Sequence, residues 1–260
     1  MTALNTYRRW LARVEDDALR AELSALDEVR DAAQIEDRFY KGLEFGTAGM
    51  RGVLGYGTNR MNVHVVRRAT QGLADYLNTF PDARERGVAI AYDSRHMSDI
   101  FALESALVLA KNGIPVYLYD TLHSVPQLSF TILHLHCKAG VVITASHNPP
   151  AYNGYKVYWE HGGQAGPEQA KEILQYIQKA DYFSVQPMDE QAALSAGLLK
   201  MIGKEVDEAY YASIQTLLLH PDLLKEKGKE LKLVYTPLHG SGCVPVRELS
   251  LIHISEPTRP

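Results

Sequence analysis

The groups in this chain best suited to chemistry gather around one serine. Ser146 stands where the apolar run Ala139–Thr144 (AGVVIT) stops, and His147 and Asn148 follow it. Pro149 and Pro150 lack backbone donors and have restricted φ, so they stiffen the loop. The pair Asn153-Gly154 is a tight-turn signal and predicts a reversal into a strand over Tyr155–Trp159. In that strand Tyr155, Val157 and Trp159 share one face, and Lys156 and Tyr158 the other. The hairpin brings Lys156 back toward Ser146. A hydroxyl, an imidazole, an amide and an amine then meet at one strand end.

A second stretch, Leu43–Thr58 (LEFGTAGMRGVLGYGT), is dense in glycine. Gly46, Gly49 and Gly52 permit positive φ and close backbone approach, as a phosphate-cradling loop requires. The spacing fits neither the Walker pattern nor the dinucleotide fingerprint. A plain glycine turn would have the same composition. Arg51 favours the cradle, because a guanidinium fork matches phosphate geometry.

The elements around these stretches alternate. Helices are predicted over 62–80, 98–112 and 124–136, with Ser98 capping the second and Gly113 stopping it. Apolar strands are predicted over 87–92, 114–119 and 139–144. Strands that read apolar throughout and alternate with helices imply an α/β fold, a largely parallel or mixed sheet covered on both faces. Ligands of such sheets bind beyond the carboxyl ends of the strands. The loops 93–96, 120–124 and 146–153 leave those ends, so Arg95, His123 and Ser146 become neighbours. For Arg95 an ion pair to Asp93 that shapes the loop and a contact to phosphate both stay open. His123 is more simply a loop histidine near a helix start.

At this point two segments carry a family resemblance. TASHNPPAYNGYKVYW (144–159) is similar to the phosphoserine loop of the α-D-phosphohexomutases, and EFGTAGMRG (44–52) resembles their N-terminal motif. The wording is most similar to the phosphoglucomutase/phosphopentomutase branch, and the resemblance runs from about residue 43 to about residue 248. It implies that phospho-Ser146 gives its phosphoryl group to a sugar monophosphate and recovers another from the bisphosphate intermediate. For glucose this interconverts the 1-phosphate and the 6-phosphate; ribose 1-phosphate and 5-phosphate are the alternative. Lys156 is implied as the proton carrier. Thr47, Arg51, Arg95, His147 and Asn148 are implied as phosphate or substrate contacts. Mg2+ on the phosphate of Ser146 and glucose 1,6-bisphosphate as activator complete the set. The family's Asp-x-Asp-x-Asp-Arg metal loop and its sugar loops do not occur among these residues, so the chain by itself is expected to lack turnover.

The resemblance divides the chain into an N-terminal helical segment (1–40), a phosphoserine-loop domain (41–182), a linker (183–202) and the start of a second, similar domain (203–248). In that last part a helix is predicted over 203–219 and a strand over 231–236 (LKLVYT). Residues 249–259 (LSLIHISEPTR) resemble the in-frame translation of a sequencing-library adaptor, and 249–260 is expected to be an artefactual tail.

Rival functions are a serine hydrolase and a non-catalytic binding domain. Ser146 lacks the G-x-S-x-G elbow that the first requires. The bulk composition fits a soluble protein: 260 residues, 46% apolar, 22% charged, net charge −4. That balance and the lack of a basic cluster disfavour nucleic acid as a partner. The two cysteines, Cys137 and Cys243, show no zinc or disulfide spacing. No run reaches the roughly 18 apolar residues of a membrane span. A cytoplasmic enzyme of a small phosphosugar is expected, its oligomeric state unread.

Overall fold

In the computed structural model, which describes residues 2–46, 49–238 and 240–251, one six-stranded sheet organises the chain. Three helices lead in: α1 (Ala3–Arg13), α2 (Asp17–Ser24) and α3 (Ala32–Phe39). There follow β1 (Gly49–Val53), α4 (Val63–Leu77), α5 (Ala83–Arg86), β2 (Val88–Tyr92), α6 (Ser98–Lys111), β3 (Val116–Tyr119), α7 (Val125–His134) and β4 (Ala139–Ile143). The chain continues through β5 (Tyr152–Trp159), α8 (Pro167–Lys179), α9 (Glu190–Ser195), β6 (Leu199–Ile202), α10 (Lys204–Gln215), α11 (Pro221–Lys227) and α12 (Cys243–Val246).

The strand order is β1-β5-β4-β2-β3-β6. β2, β3, β4 and β6 pair parallel, while β5 runs antiparallel to both β4 and β1. The sheet is therefore mixed, and two cores cover its faces. Val88, Ile90, Val141, Ile143, Tyr155 and Val157 pack with α4, α6 and α8 on one side. Ala89, Ala91, Val142 and Tyr158 pack with Leu128 and Ile132 of α7 and Val206 of α10 on the other. Period-2 alternation sends neighbouring side chains to opposite faces, so a strand covered on both reads as one apolar run. Helix α1 docks onto the first core through Tyr7 and Trp10, with Val14 just past its end, all buried. Trp10 meets Phe39 and Phe183 edge-on at 5.8 and 5.2 Å between ring centroids.

Three expectations are corrected. Residues 183–202 are not all linker: they carry α9 and β6, and β6 adds a parallel strand beside β3. Residues 231–236 form no strand; Leu231, Leu233 and Val234 are exposed instead. Asn153-Gly154 is not the reversal, which occurs just before, where Tyr152 N–H donates to the Pro149 carbonyl at 3.0 Å. Both residues lie inside β5. The expected helix over 203–219 is present in shorter form as α10, and most of the expected tail (252–260) falls outside the described residues.

Gly154 is required for packing. A Cβ there would sit 2.5 Å from the Thr144 carbonyl oxygen and 3.0 Å from that of Met50. Any side chain must spread β5 from β4 and β1 directly beneath the serine loop. Gly154→Ala is expected to cost about 1–3 kcal/mol, read as a lowered urea midpoint at unchanged m-value. An unchanged midpoint would contradict this packing.

Candidate functional site

The carboxyl ends of β2, β3 and β4 open onto a cleft of about 620 Å³. Asp93, Arg95 and His96 line it from the loop after β2, and His123 from the loop after β3. Thr144, Ser146, Asn148 and Pro150 line it from the loop after β4, and Gly240 and Ser241 face it from the far C-terminal part of the described chain. The three rim loops read from sequence thus converge, with Arg95, His123 and Ser146 in one cleft.

Ser146 is exposed at the loop tip with φ +56°, a left-handed conformation uncommon for a residue with a side chain. Its N–H donates to Thr144 Oγ1 at 3.0 Å, and Asn148 N–H donates back to the Ala145 carbonyl at 3.1 Å. Its Oγ lies 3.3 Å from His147 Nδ1, a long contact between sequence neighbours. No carboxylate orients that imidazole among the described residues, and a strand rather than a helix follows the loop. The arrangement therefore lacks the third member and the elbow of a serine hydrolase.

Arg51 arrives from β1, where it pairs across from Gly154, and its Nη1 donates to Asn148 Oδ1 at 3.0 Å. The glycine-dense stretch is thereby joined to the serine loop. Lys156 lies in β5 opposite Val142, on the face it shares with Tyr158. Val142 itself lines the cleft. The half-buried Lys156 ammonium makes no hydrogen bond or ion pair with any described residue. Thr47 lies outside the described residues.

Of the two roles open for Arg95, the structure shows the loop-shaping one. Nη2 donates to the carbonyls of Ser146 at 2.7 Å and Asn148 at 2.6 Å, and Nη1 to those of Pro149 and Tyr152, both at 3.0 Å. Nε faces Asp93 Oδ2 at 3.4 Å. Asp93 also accepts from the Arg95 N–H and from Ser98 Oγ. That first bond closes an Asx turn, a local signal present in the Asp-x-Arg wording that sequence reading passed over. Asn153, read as a turn residue, is fully buried and donates to the His96 carbonyl at 2.9 Å and to Ser98 Oγ at 3.0 Å, tying the β2 and β4 loops together.

His123 is buried and stacks on Tyr119 at 3.6 Å between ring centroids. Its Nδ1 lies 2.8 Å from the Thr121 carbonyl, and its Nε2 lies 3.1 and 3.0 Å from the two oxygens of Asp207 in α10. Gln127 Nε2 donates to the same carboxylate at 2.9 Å. Burial pushes the Tyr119 phenol well above its ordinary pKa. The hydrogen bond to Thr131 opposes that shift and the nearby Asp207 adds to it. This phenol stays neutral and serves packing.

Among the described residues no group of three His, Cys, Asp or Glu side chains could hold a metal ion. Asp93, the one carboxylate among the described residues lining the cleft, is engaged by Arg95 and Ser98. These residues alone do not fit a magnesium site. A larger cleft, about 920 Å³, lies between α1, α2 and the N-terminal ends of α4 and α6. Along it Arg67 pairs with Glu104, and Glu22 with Arg38, and none of the serine-loop residues lines it. The smaller cleft is the candidate site.

The family described as phosphoglucomutase/phosphomannomutase, alpha/beta/alpha domain I, matches residues 42–183. A phosphoglucomutase of Staphylococcus saprophyticus is 36% identical over 233 residues, covering 89% of this chain and 40% of that protein. A human phosphopentomutase is 36% identical over 207 residues, covering 77% of this chain and 34% of that one. The chain thus spans about two fifths or less of the length of these relatives. The open form of the Paramecium phosphoglucomutase pp63/parafusin superposes with a TM-score of 0.61 over 84% of this chain and 43% of its own. At 18% identity that likeness bears on the fold alone. With the rim loops, the mixed sheet and the domain match in agreement, the chain belongs to the phosphoglucomutase/phosphomannomutase family.

Proposed function

We propose that this chain carries the phosphoryl acceptor of a phosphosugar mutase, with Ser146 as the residue that holds the phosphate between transfers. The observation that supports this most is the exposed hydroxyl of Ser146 on a loop stiffened by two prolines, beside the Arg51–Asn148 pair. Phosphoryl transfer asks chiefly for alignment and for neutralisation of charge on the moving group. In the forward half-reaction the phosphoserine P–O bond breaks as a free sugar hydroxyl bonds to phosphorus. Lys156 Nζ relays the proton that hydroxyl releases. The bisphosphate turns over, its other phosphate passes to Ser146 Oγ, and the proton returns to the sugar oxygen. Arg51, His147 and Asn148 meet phosphate oxygens, with Thr47 part of the same proposal.

Glucose 1-phosphate and 6-phosphate are the favoured pair. The similarity to a human phosphopentomutase supports ribose 1-phosphate and 5-phosphate as the second reading. Mg2+ and the activator glucose 1,6-bisphosphate come with the family. A magnesium ion would help neutralise the phosphate, but the described residues offer it no cage. A cytoplasmic location suits such a substrate and belongs to the same proposal. No helix of the described residues is long and apolar enough to cross a membrane.

Incubation with glucose 1,6-bisphosphate or ribose 1,5-bisphosphate, followed by peptide mapping, tests the reading. One phosphate on Ser146 is expected, faster from the preferred sugar. Phosphate on another residue, or none from either donor, would overturn it.

A further inference from the structure

We infer that Arg95 is a positioning residue, one that clamps the serine loop by its carbonyls and so sets the direction in which the Ser146 hydroxyl is presented. The inference rests on Ser146 as the phosphoryl acceptor but draws on a separate observation. A guanidinium has five N–H donors in a fixed fork. Four here meet the carbonyls of Ser146, Asn148, Pro149 and Tyr152, at 2.6–3.0 Å, and the fifth faces Asp93. The side chain is only 14% exposed, so the fork is held where its bonds are least weakened by water. No donor is left over for a substrate phosphate.

The loop has few other restraints. Pro149 and Pro150 donate nothing, and its internal backbone bonds are Asn148 N–H to Ala145 and Tyr152 N–H to Pro149. Ser146 meanwhile sits in a conformation that a side chain disfavours by about 1–2 kcal/mol. Such a conformation persists only where its surroundings determine it. The bond from Nη2 to the Ser146 carbonyl fixes the peptide plane that follows the residue, and the neighbouring bond fixes the plane after Asn148. Both ends of the Ser146–Asn148 unit are pinned by one nitrogen. Asp93 holds the guanidinium in turn, and Ser98 and Asn153 hold Asp93 and the loop beneath.

A lysine offers three donors from a single point and cannot span carbonyls on two sides of a plane. Arg95→Lys keeps the charge and the ion pair to Asp93 while releasing the clamp. Two readouts separate this role from substrate binding. Hydrogen exchange in the peptide spanning 146–152, with no sugar present, is expected to rise at least about tenfold in Arg95→Lys. The maximal rate at which Ser146 gains phosphate from glucose 1,6-bisphosphate is expected to fall about 100-fold, as misplaced reacting groups do. The half-saturating bisphosphate concentration should move less than about threefold.

Unchanged exchange in the loop overturns the inference. So does a half-saturating concentration that climbs while the maximal rate holds, the pattern of a lost phosphate contact. Arg95→Met serves as the stronger variant, and the lysine form decides if the methionine form fails to fold. Should the unsubstituted chain take up no phosphate at all, the reading of Ser146 falls, and the exchange measurement still decides the clamp.

Discussion

On the proposed reading, Ser146→Ala in a protein that carries the family's remaining domains is expected to lose phosphosugar mutase turnover by at least about a thousandfold, the scale on which removing a nucleophile acts. A methyl group cannot bond to phosphorus, and no second hydroxyl replaces it at the loop tip. Thr144 is buried at the strand end, and its Oγ1 is taken by the Ser146 N–H. Stability should hardly change. Among the described residues the lost oxygen bonds only to His147 Nδ1, at 3.3 Å, and alanine meets the same backbone restriction as serine. A shift within about 0.5 kcal/mol is therefore expected. The coupled assay starting from glucose 1-phosphate, run beside a denaturation curve, checks both. Turnover at the unsubstituted rate would remove the phosphoserine from the proposal.

Lys156→Met is expected to lower the transfer rate by about 100- to 1,000-fold, the usual consequence of losing one charge-stabilising donor at a reacting group. Its ammonium is half-buried yet makes no bond to the described residues, whereas most buried or half-buried cations here are paired. Lys138, for comparison, lies 3.3 Å from both Asp82 and Glu160. A cation kept unpaired against an apolar face costs stability unless something else uses it. Methionine in its place should leave the fold as stable or slightly more so. Loss of rate together with retained stability is the signature of a functional amine. Lys156→Arg refines the assignment: a guanidinium restores charge but cannot deprotonate, so it rescues only an electrostatic role. Full activity in the methionine variant would show that Lys156 is an ordinary strand residue.

Much of this architecture could be read in the sequence where burial is two-sided. GVAIAY and AGVVIT are apolar at every position because both faces of β2 and β4 are covered, and both strands form. The helices between them carry enough apolar residues to show their faces. Edge elements were harder. β6 has two exposed residues of four, Lys200 and Met201, so its apolar content fell below that of a strand and 183–202 looked like a linker. LKLVYT erred the other way. It has the composition of a strand, but strands are made by partners, and none of the described strands pairs with it.

At the site, sequence order placed Ser146, His147 and Asn148 together and directed the hairpin strand of Lys156 back toward them, whereas Arg51 was tied to the loop only by the resemblance of its glycine-dense motif, because its bond to Asn148 spans 97 residues. It could not show what Arg95 does, since its bonds reach 51 to 57 residues along the chain. Asn153 misled for a related reason. Next to glycine it has the wording of a turn, yet here its amide is spent on the His96 carbonyl and Ser98, and the glycine is there for lack of room.

The strand β6 has a mechanical consequence. Its last residue, Ile202, accepts from the Asp120 N–H at 2.9 Å, at the rim of the cleft, and five residues later Asp207 grips His123. The chain beyond the sheet therefore departs from a fixed anchorage on His123, which lines the same cleft as Ser146, instead of trailing from a slack tether. Gly240 and Ser241 line the same cleft, and this anchorage shortens the tether that closes onto it, which lowers the closure entropy. Weakening β6 would act at a distance, diluting that segment from the nucleophile it faces without altering a single atom that touches phosphate.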